Sequence, residues 1–302
     1  MPTTLHPGVF SAIHSQVPVP FPAIHERMKA AASIARLPLR SGRWRGSSGS
    51  VLGDGTGSSI DFQDQRAYAP GDDPRHINWL ATARTGHTTM KLYRQEVTPK
   101  VDILFDISSS MFLTEAKETR SWELLYFCLE SALRLGATPR IHLLGEDSRE
   151  TPIETALGHH WEIPAVQPGH LSDVLPRTPL RAGSMRILIS DLLSPAPPEK
   201  VLPFLAQGTQ RVILLAPTCP EESNPDWSGN IDFEDCESAK RDRRRVEPDL
   251  LQRYHRAYAT HFRLWHEQAQ RYQGALARVP ADMEFLPSLR REAATAGCVD
   301  LG

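Results

Sequence analysis

The stretches ILFDISSSM (residues 103–111) and RILISDLLS (residues 186–194) decide the fold. Each is an almost unbroken apolar run, and each ends in an aspartate, Asp106 and Asp191. Such runs belong to strands covered on both faces, as in parallel sheets flanked by helices. Working outward, KVDILFD reads as a central strand. A helix follows over residues 115–135, with Trp122, Leu125, Leu129 and Leu133 as its buried stripe and Gly136 as its stop. PRIHLLG and RVILLAP read as further strands and VLPFLAQ as a short helix. Strands alternating with helices imply an α/β fold, a doubly wound and mostly parallel sheet. Ligands of such sheets bind beyond the carboxyl ends of the strands, where Asp106 and Asp191 both stand.

The remaining chain is less regular. Residues 25–35 read as a short helix, and residues 40–59 (RSGRWRGSSGSVLGDGTGSS) as a flexible loop rather than a phosphate cradle, because no Lys-Ser/Thr follows the glycines. Asp73-Pro74 reads as a helix start, with Ile77, Leu80 and Ala81 on one face and Gly86 as the end. TTMKLYRQEV reads as a strand. The charge run SAKRDRRRVE reads as a solvated loop. A long amphipathic helix follows, with Leu251, Tyr254, Tyr258, Phe262 and Trp265 on one face, then a last strand at ADMEFLP and a short helix at SLRREAATAG.

Composition excludes several classes. A chain of 302 residues suggests two domains, and the patterning divides it into 1–99 and 100–302. Lys+Arg number 34 against 36 Asp+Glu, so no bulk charge draws the chain to nucleic acid or an anionic membrane. No run of about eighteen apolar residues is present, so no membrane span is expected. The first residues lack a basic start followed by an apolar core, which points to a cytoplasmic protein. Cys128, Cys219, Cys236 and Cys298 form no CxxC pair and read as free thiols.

The chemistry lies in the turn after the first aspartate. Asp106, Ser108 and Ser110 form D-x-S-x-S, and Asp191 ends the second strand. One carboxylate and two hydroxyls from a tight turn, joined by a second carboxylate, suit a hard divalent cation that keeps several waters. With few anionic ligands, the ion can take a carboxylate from another protein as its last ligand. The competing reading is that Ser108 and Ser110 only cap the helix that follows.

These residues resemble a known site. DISSS after an apolar strand looks like the metal-ion-dependent adhesion site of von Willebrand factor A-like domains. RAYAPGDDPRHINWLATARTG (residues 66–86) closely resembles the signature of the domain-of-unknown-function family DUF 58, on Arg66, Tyr68, Pro70, Gly71, Asp72, Asp73, Arg75, Ile77, Trp79, Ala83 and Arg84. The resemblance implies a small N-terminal β-containing region (1–99) carrying the signature. A von Willebrand factor A-like domain with a C-terminal helical extension (100–302) would follow. It implies Mg2+, with Mn2+ or Ca2+ as alternatives, held by Asp106, Ser108, Ser110 and Asp191. It also implies a MoxR-type AAA+ ATPase and a client protein as partners, in chaperone-like assembly or maturation of complexes. Two departures stand out. Asn78 replaces the family's Asp, and no Thr lies in the loop between the Asp-bearing strands, where His170 and Ser172 are the positional candidates and Thr178 comes late.

The signature admits two readings. Its arginines would clamp carboxylates and tie the N-terminal region to the core, so that Arg75→Ala lowers the melting temperature. Alternatively, it presents a docking surface. For function, the first hypothesis is a non-enzymatic, metal-dependent interaction module. The second is a phosphatase or hydrolase with Asp106 as nucleophile, which lacks the general acid such enzymes place two residues on, because Ser108 stands there. A GxSxG elbow is absent, and His266-Glu267 begins an HExxH motif that Gln270 breaks. Nucleic-acid binding through residues 240–245 is a third reading, unsupported by the rest of the chain.

Overall fold

The structure is a computed structural model and describes residues 19–39, 48–56, 62–161, 169–236 and 240–302. Its strands are β1 (Ala35–Arg36), β2 (Ser48–Thr56), β3 (Phe62–Ala67), β4 (Thr89–Val97), β5 (Lys100–Asp106), β6 (Thr138–Leu144), β7 (Ser148–Thr151), β8 (Met185–Ile189), β9 (Arg211–Thr218), β10 (Gly229–Glu234), β11 (Arg241–Val246), β12 (Ala275–Pro280) and β13 (Asp300–Leu301). The helices are α1 (Phe21–Ile34), α2 (Trp79–Thr85), α3 (Glu115–Arg134), α4 (Ile153–Leu157), α5 (Leu171–Val174), α6 (Pro198–Ala206), α7 (Pro220–Ser223), α8 (Pro248–Arg271) and α9 (Phe285–Ser288).

Six strands form one sheet in the order β12-β9-β8-β5-β6-β7, parallel except for β7. β5 lies inside it, and Val101 to Asp106 are buried without a break, as the apolar run requires. Ile103 and Phe105 join α1 and α3 in one core, while Leu104 joins α6 and α8 in the other. That alternation is the strand period of two, with a helical layer on each face. From β5 the chain passes through α3 to β6 on one side and later returns to β8 on the other. The winding therefore reverses between the carboxyl ends of β5 and β8, where such sheets open a crevice.

α3 is buried more completely than one stripe allows. Every residue from Ser121 to Ala132 is buried, because α1 covers its outer side. His25 Nε2 meets Glu130 Oε1 at 2.6 Å, Arg27 pairs with Glu123, and the Leu37 N–H donates to the Ser131 hydroxyl. Leu133, expected in the buried stripe, is exposed at the last turn. β1 pairs antiparallel with β13. Residues 21–39 thus pack with the α/β layers, although a division at residue 99 groups them with the signature. On the opposite face α8 buries Tyr258, Phe262 and Trp265, as its pattern predicts.

The signature lies on a three-stranded antiparallel sheet, β2-β4-β3. Ser48–Thr56, expected within a loop, forms β2 against β4. Residues 40–47 and 57–61 lie outside the described residues. Asp73 caps only a 3-10 turn, Pro74–His76, by accepting from the Arg75 N–H. The helix proper starts later, with Asn78 as its N-cap accepting from the Ala81 N–H at 3.2 Å. An amide serves that role as well as a carboxylate. Gly86, at φ 72°, ends α2 in the left-handed conformation that glycine adopts without a Cβ penalty.

Two C-terminal expectations also change. The arginine run is the strand β11, hairpinned on β10, because its cations find acids nearby: Arg243 on Asp232, Arg241 on Glu234, Arg244 on Asp242. The last strand of the sheet is Ala275–Pro280, not the following ADMEFLP, which makes a turn and α9. ALARVP carries the small and β-branched residues that fit beside β9, and its first three residues are buried.

Candidate functional site

Asp106 ends β5, and Ser190-Asp191 follow β8 directly. Register fixes their proximity, since Phe105 lies opposite Ile189. Asp106 is 5% exposed. Its Oδ1 accepts from the Ser108 N–H at 2.9 Å and its Oδ2 from the Ser190 hydroxyl at 2.6 Å. The Ser190 oxygen in turn accepts from the Leu192 N–H. Asp191 Oδ1 accepts from the Leu193 N–H at 3.0 Å, and the Ser110 hydroxyl donates to the same carboxylate. The hydroxyls of Ser108 and Ser110 lie 3.2 Å apart. The four groups expected to act together are therefore brought together.

The capping alternative does not hold. Ser108 makes no capping bond and leads into a 3-10 turn, Ser109–Phe112. α3 starts at Glu115 and is capped by Thr114, whose hydroxyl accepts from the Lys117 N–H. The serine hydroxyls are thus left to the rim. The backbone beyond Asp191 is strained: Leu192, a buried residue, sits at φ 60°. A non-glycine residue in the left-handed region costs about 1–2 kcal/mol. His261 Nε2–H donates to the Leu192 carbonyl at 2.7 Å and braces that turn.

Two residues that sequence reasoning missed complete the cluster. Lys117, on the first turn of α3, is fully buried, and its Nζ donates to Asp191 Oδ2 at 2.8 Å. The same ammonium contacts the Glu222 carboxylate. Glu222 belongs to α7, just after β9, and its other oxygen accepts from the Cys219 N–H. A lysine on the apolar side of a helix, four residues before buried Ser121, was the available signal. For Glu222 it was the position of PEES immediately beyond an apolar strand.

Electrostatics divides the two aspartates. Burial pushes the Asp106 carboxyl up to about 6, Asp191's charge pushes the same way, and the bonds from Ser190 and Ser108 offset only part. Burial also opposes ionisation of Asp191, but Lys117's charge and hydrogen bond outweigh it and hold that carboxyl below its usual range. Lys117 is likewise disfavoured by burial, yet its two carboxylate partners keep its ammonium protonated well above the usual lysine range. With all ionised, three carboxylates face one ammonium, leaving two negative charges in a buried crevice.

This arrangement fits a divalent cation. Asp106 is a buried carboxylate with no ion-pair partner among the described residues, two hydroxyl oxygens stand beside it, and the surplus charge equals that of one such ion. Among the described residues no group of three or more His, Cys, Asp or Glu side chains could hold a metal. An ion here would rely on hydroxyls and water for most of its shell, as magnesium tolerates. The loop candidates add little: the Ser172 hydroxyl donates to Asp173, Thr178's to the Val174 carbonyl, and His170 is exposed. Residues 162–168 lie outside the described residues.

The signature forms a separate group. Arg66 grips Asp72 with two parallel bonds of 2.7 and 2.5 Å, and Asp72 also accepts from the Ala69 N–H. Arg75 pairs with Asp73 two residues away. Both pairs close within the signature rather than onto the core, so the expected clamp to the α/β layers is not what they build. Gly71, at φ 104°, supplies the turn between Tyr68 and Asp73. Of the face expected from Ile77, Leu80 and Ala81, Ile77 and Ala81 are half-buried but Leu80 is 66% exposed, because Ala81 and Thr82 are the half-buried side of α2; Trp79 is 68% exposed. Arg84 is exposed on its last turn.

No helix among the described residues is long and apolar enough to cross a membrane. The chain is similar to an uncharacterized protein, Mb1516, of Mycobacterium bovis and to its counterpart Rv1480 of Mycobacterium tuberculosis. Each is 26% identical over 230 residues, which cover 70% of this chain and 72% of the relative. Among solved structures it is similar to an aerotolerance-related membrane protein from Bacteroides fragilis, at 15% identity and TM-score 0.38, covering 65% of this chain and 97% of that one. BatB from Bacteroides thetaiotaomicron gives 14% identity and TM-score 0.36, covering 66% and 98%. The family model described as "Protein of unknown function DUF58" matches residues 64–263, from the start of the signature through most of α8, and the chain belongs to that family.

Proposed function

We propose that this protein is a non-enzymatic interaction module with a von Willebrand factor A-like core that uses a divalent cation, Mg2+ in the first instance, to grip a partner protein. The observation that carries this reading is Asp106: a buried carboxylate at the sheet's reversal point, without an ion-pair partner among the described residues and flanked by two hydroxyls. Asp106, Ser108 and Ser110 would hold the ion, and Asp191 would add its negative charge from the far side of the crevice. When bound, the ion supplies a Lewis-acid coordination position for a carboxylate of the partner. The protein's own part is to keep the crevice ordered: Ser190 and the Ser108 N–H aim Asp106, and the strained turn at Leu192 aims Asp191.

The phosphatase alternative gains nothing from the geometry. Ser108 occupies the general-acid position, and its hydroxyl lies against Ser110. The partner proposed is a MoxR-type AAA+ ATPase, acting in the cytoplasm with a client protein, as the family resemblance implies. The exposed Trp79 beside self-paired arginines favours the docking reading of the signature, since tryptophan and arginine serve as interaction hot spots. Affinity capture on the full chain tests this, with Mg2+ or with chelator, read by mass spectrometry. An AAA+ ATPase or client captured only with Mg2+, and lost in Asp106→Ala, supports the proposal. An identical protein set in both buffers refutes it.

A further inference from the structure

We infer that Lys117 is a built-in competitor of the metal ion, an ammonium that holds Asp191 out of the ligand set and keeps the crevice's affinity for divalent cations low. The inference rests on the metal-site reading above and deepens it. Lys117 is wholly buried, and both of its partners are carboxylates at the crevice: Asp191 at 2.8 Å and Glu222. A buried ammonium needs such partners, because removing either leaves an uncompensated charge. Asp191 is therefore committed on one oxygen to Lys117 and on the other to the Leu193 N–H and its own turn. A divalent ion arriving beside Asp106 meets one carboxylate held by hydrogen bonds rather than by an ammonium, two hydroxyls, and a like charge on the far side of Asp191. Recruiting Asp191 means taking it from Lys117. An affinity set in this way leaves the ion short of anionic ligands, which is the condition under which a carboxylate from a partner completes the shell.

The geometry also supplies the test. Removing Lys117 alone leaves Glu222 and Asp191 buried and unpaired. Removing Lys117 together with the charge of Glu222 keeps the crevice at two negative charges while freeing Asp191. We compare Mn2+ binding by calorimetry, and by loss of the free-ion paramagnetic signal, in the wild-type chain, Lys117→Met/Glu222→Gln, the same pair with Asp191→Asn, and Lys117→Arg. Thermal melting checks that each is folded. The expected result is binding at least tenfold tighter in the double variant, reversed by Asp191→Asn, with Lys117→Arg near wild type. A role confined to holding the fold would change the melt and leave the affinity where it was. Binding by the wild type that depends on Asp106, without tightening in the double variant, overturns this inference and leaves the metal site standing. Absence of saturable binding in both the wild type and the double variant overturns the two together.

Discussion

Replacing Asp106 by asparagine should stabilise the protein when divalent cations are absent. In the folded chain the carboxyl is pushed from 3.8 up to about 6, by burial first and by Asp191's charge second. The group therefore keeps its proton in the folded state at pH values where the unfolded chain has released it. Between about pH 4 and 6 the folded state binds more protons than the unfolded one, so this residue's contribution to stability falls as pH rises, and above that window its ionisation is a constant penalty. The displacement corresponds to about 3 kcal/mol at neutral pH. Asparagine removes the penalty and keeps Oδ1 for the Ser108 N–H. Its amide N–H then faces the Ser190 oxygen, which already accepts from Leu192, and the Ser190 proton must turn elsewhere, at about 1 kcal/mol. The net expectation is about 2 kcal/mol of added stability, or a melting temperature raised by about 4 °C in chelator at pH 7.5. The gain should vanish near pH 4, and added Mg2+ should raise the melt of the wild type alone. An Asp106→Asn chain that melts at or below the wild type in chelator would refute the view of Asp106 as an uncompensated charge.

Further outcomes follow from the same geometry. Lys117→Ala strands Asp191 and Glu222 in the core and should cost about 3–5 kcal/mol, measured by denaturant unfolding; a loss below about 1 kcal/mol would contradict the burial of that group. Trp79→Ala should leave the melt within about 1 °C because the side chain is mostly in water, while removing the captured partner; a large drop in the melt would make the signature structural. Arg75→Ala should not shift the melt, since its ion pair among the described residues is an exposed one with Asp73 two residues away, which reverses the expectation from sequence. His159, whose Nε2 lies 3.0 Å from His25 Nδ1, is held below its usual range by burial, with His25's charge adding to it. Its contribution is therefore complete above about pH 6.5 and is lost as the pH falls below that value. A flatter pH–melting profile in His159→Asn would agree, and an unchanged profile would not.

The sheet was legible because burial on both faces writes an unmistakable pattern: ILFD and RILISD could be little else. The placement of the two aspartates was legible for a related reason. In a doubly wound sheet the residues just beyond the last apolar one reach the rim, which places Asp106, next after Phe105, and Asp191, second after Ile189, at the same end of the sheet. What stayed hidden depends on pairing across the fold. Lys117 looks like one charged residue among Glu115, Glu118 and Arg120, and the positions of Asp191 and Glu222, far along the chain, show why it is buried. The arginine run misled because strand formation there rests on cross-strand acids at Asp232 and Glu234, not on apolar alternation. Leu80 misled because helical spacing cannot say which side of a seven-residue helix meets the sheet; the smaller Ala81 and Thr82 do.

Titrating Mg2+ into the wild-type chain and into Asp106→Ala in a calorimeter asks whether Asp106 and its two neighbouring hydroxyls hold a divalent cation. Saturable binding to one site is expected in the wild type, and none in a folded Asp106→Ala chain. Superimposable titrations of the two would contradict it.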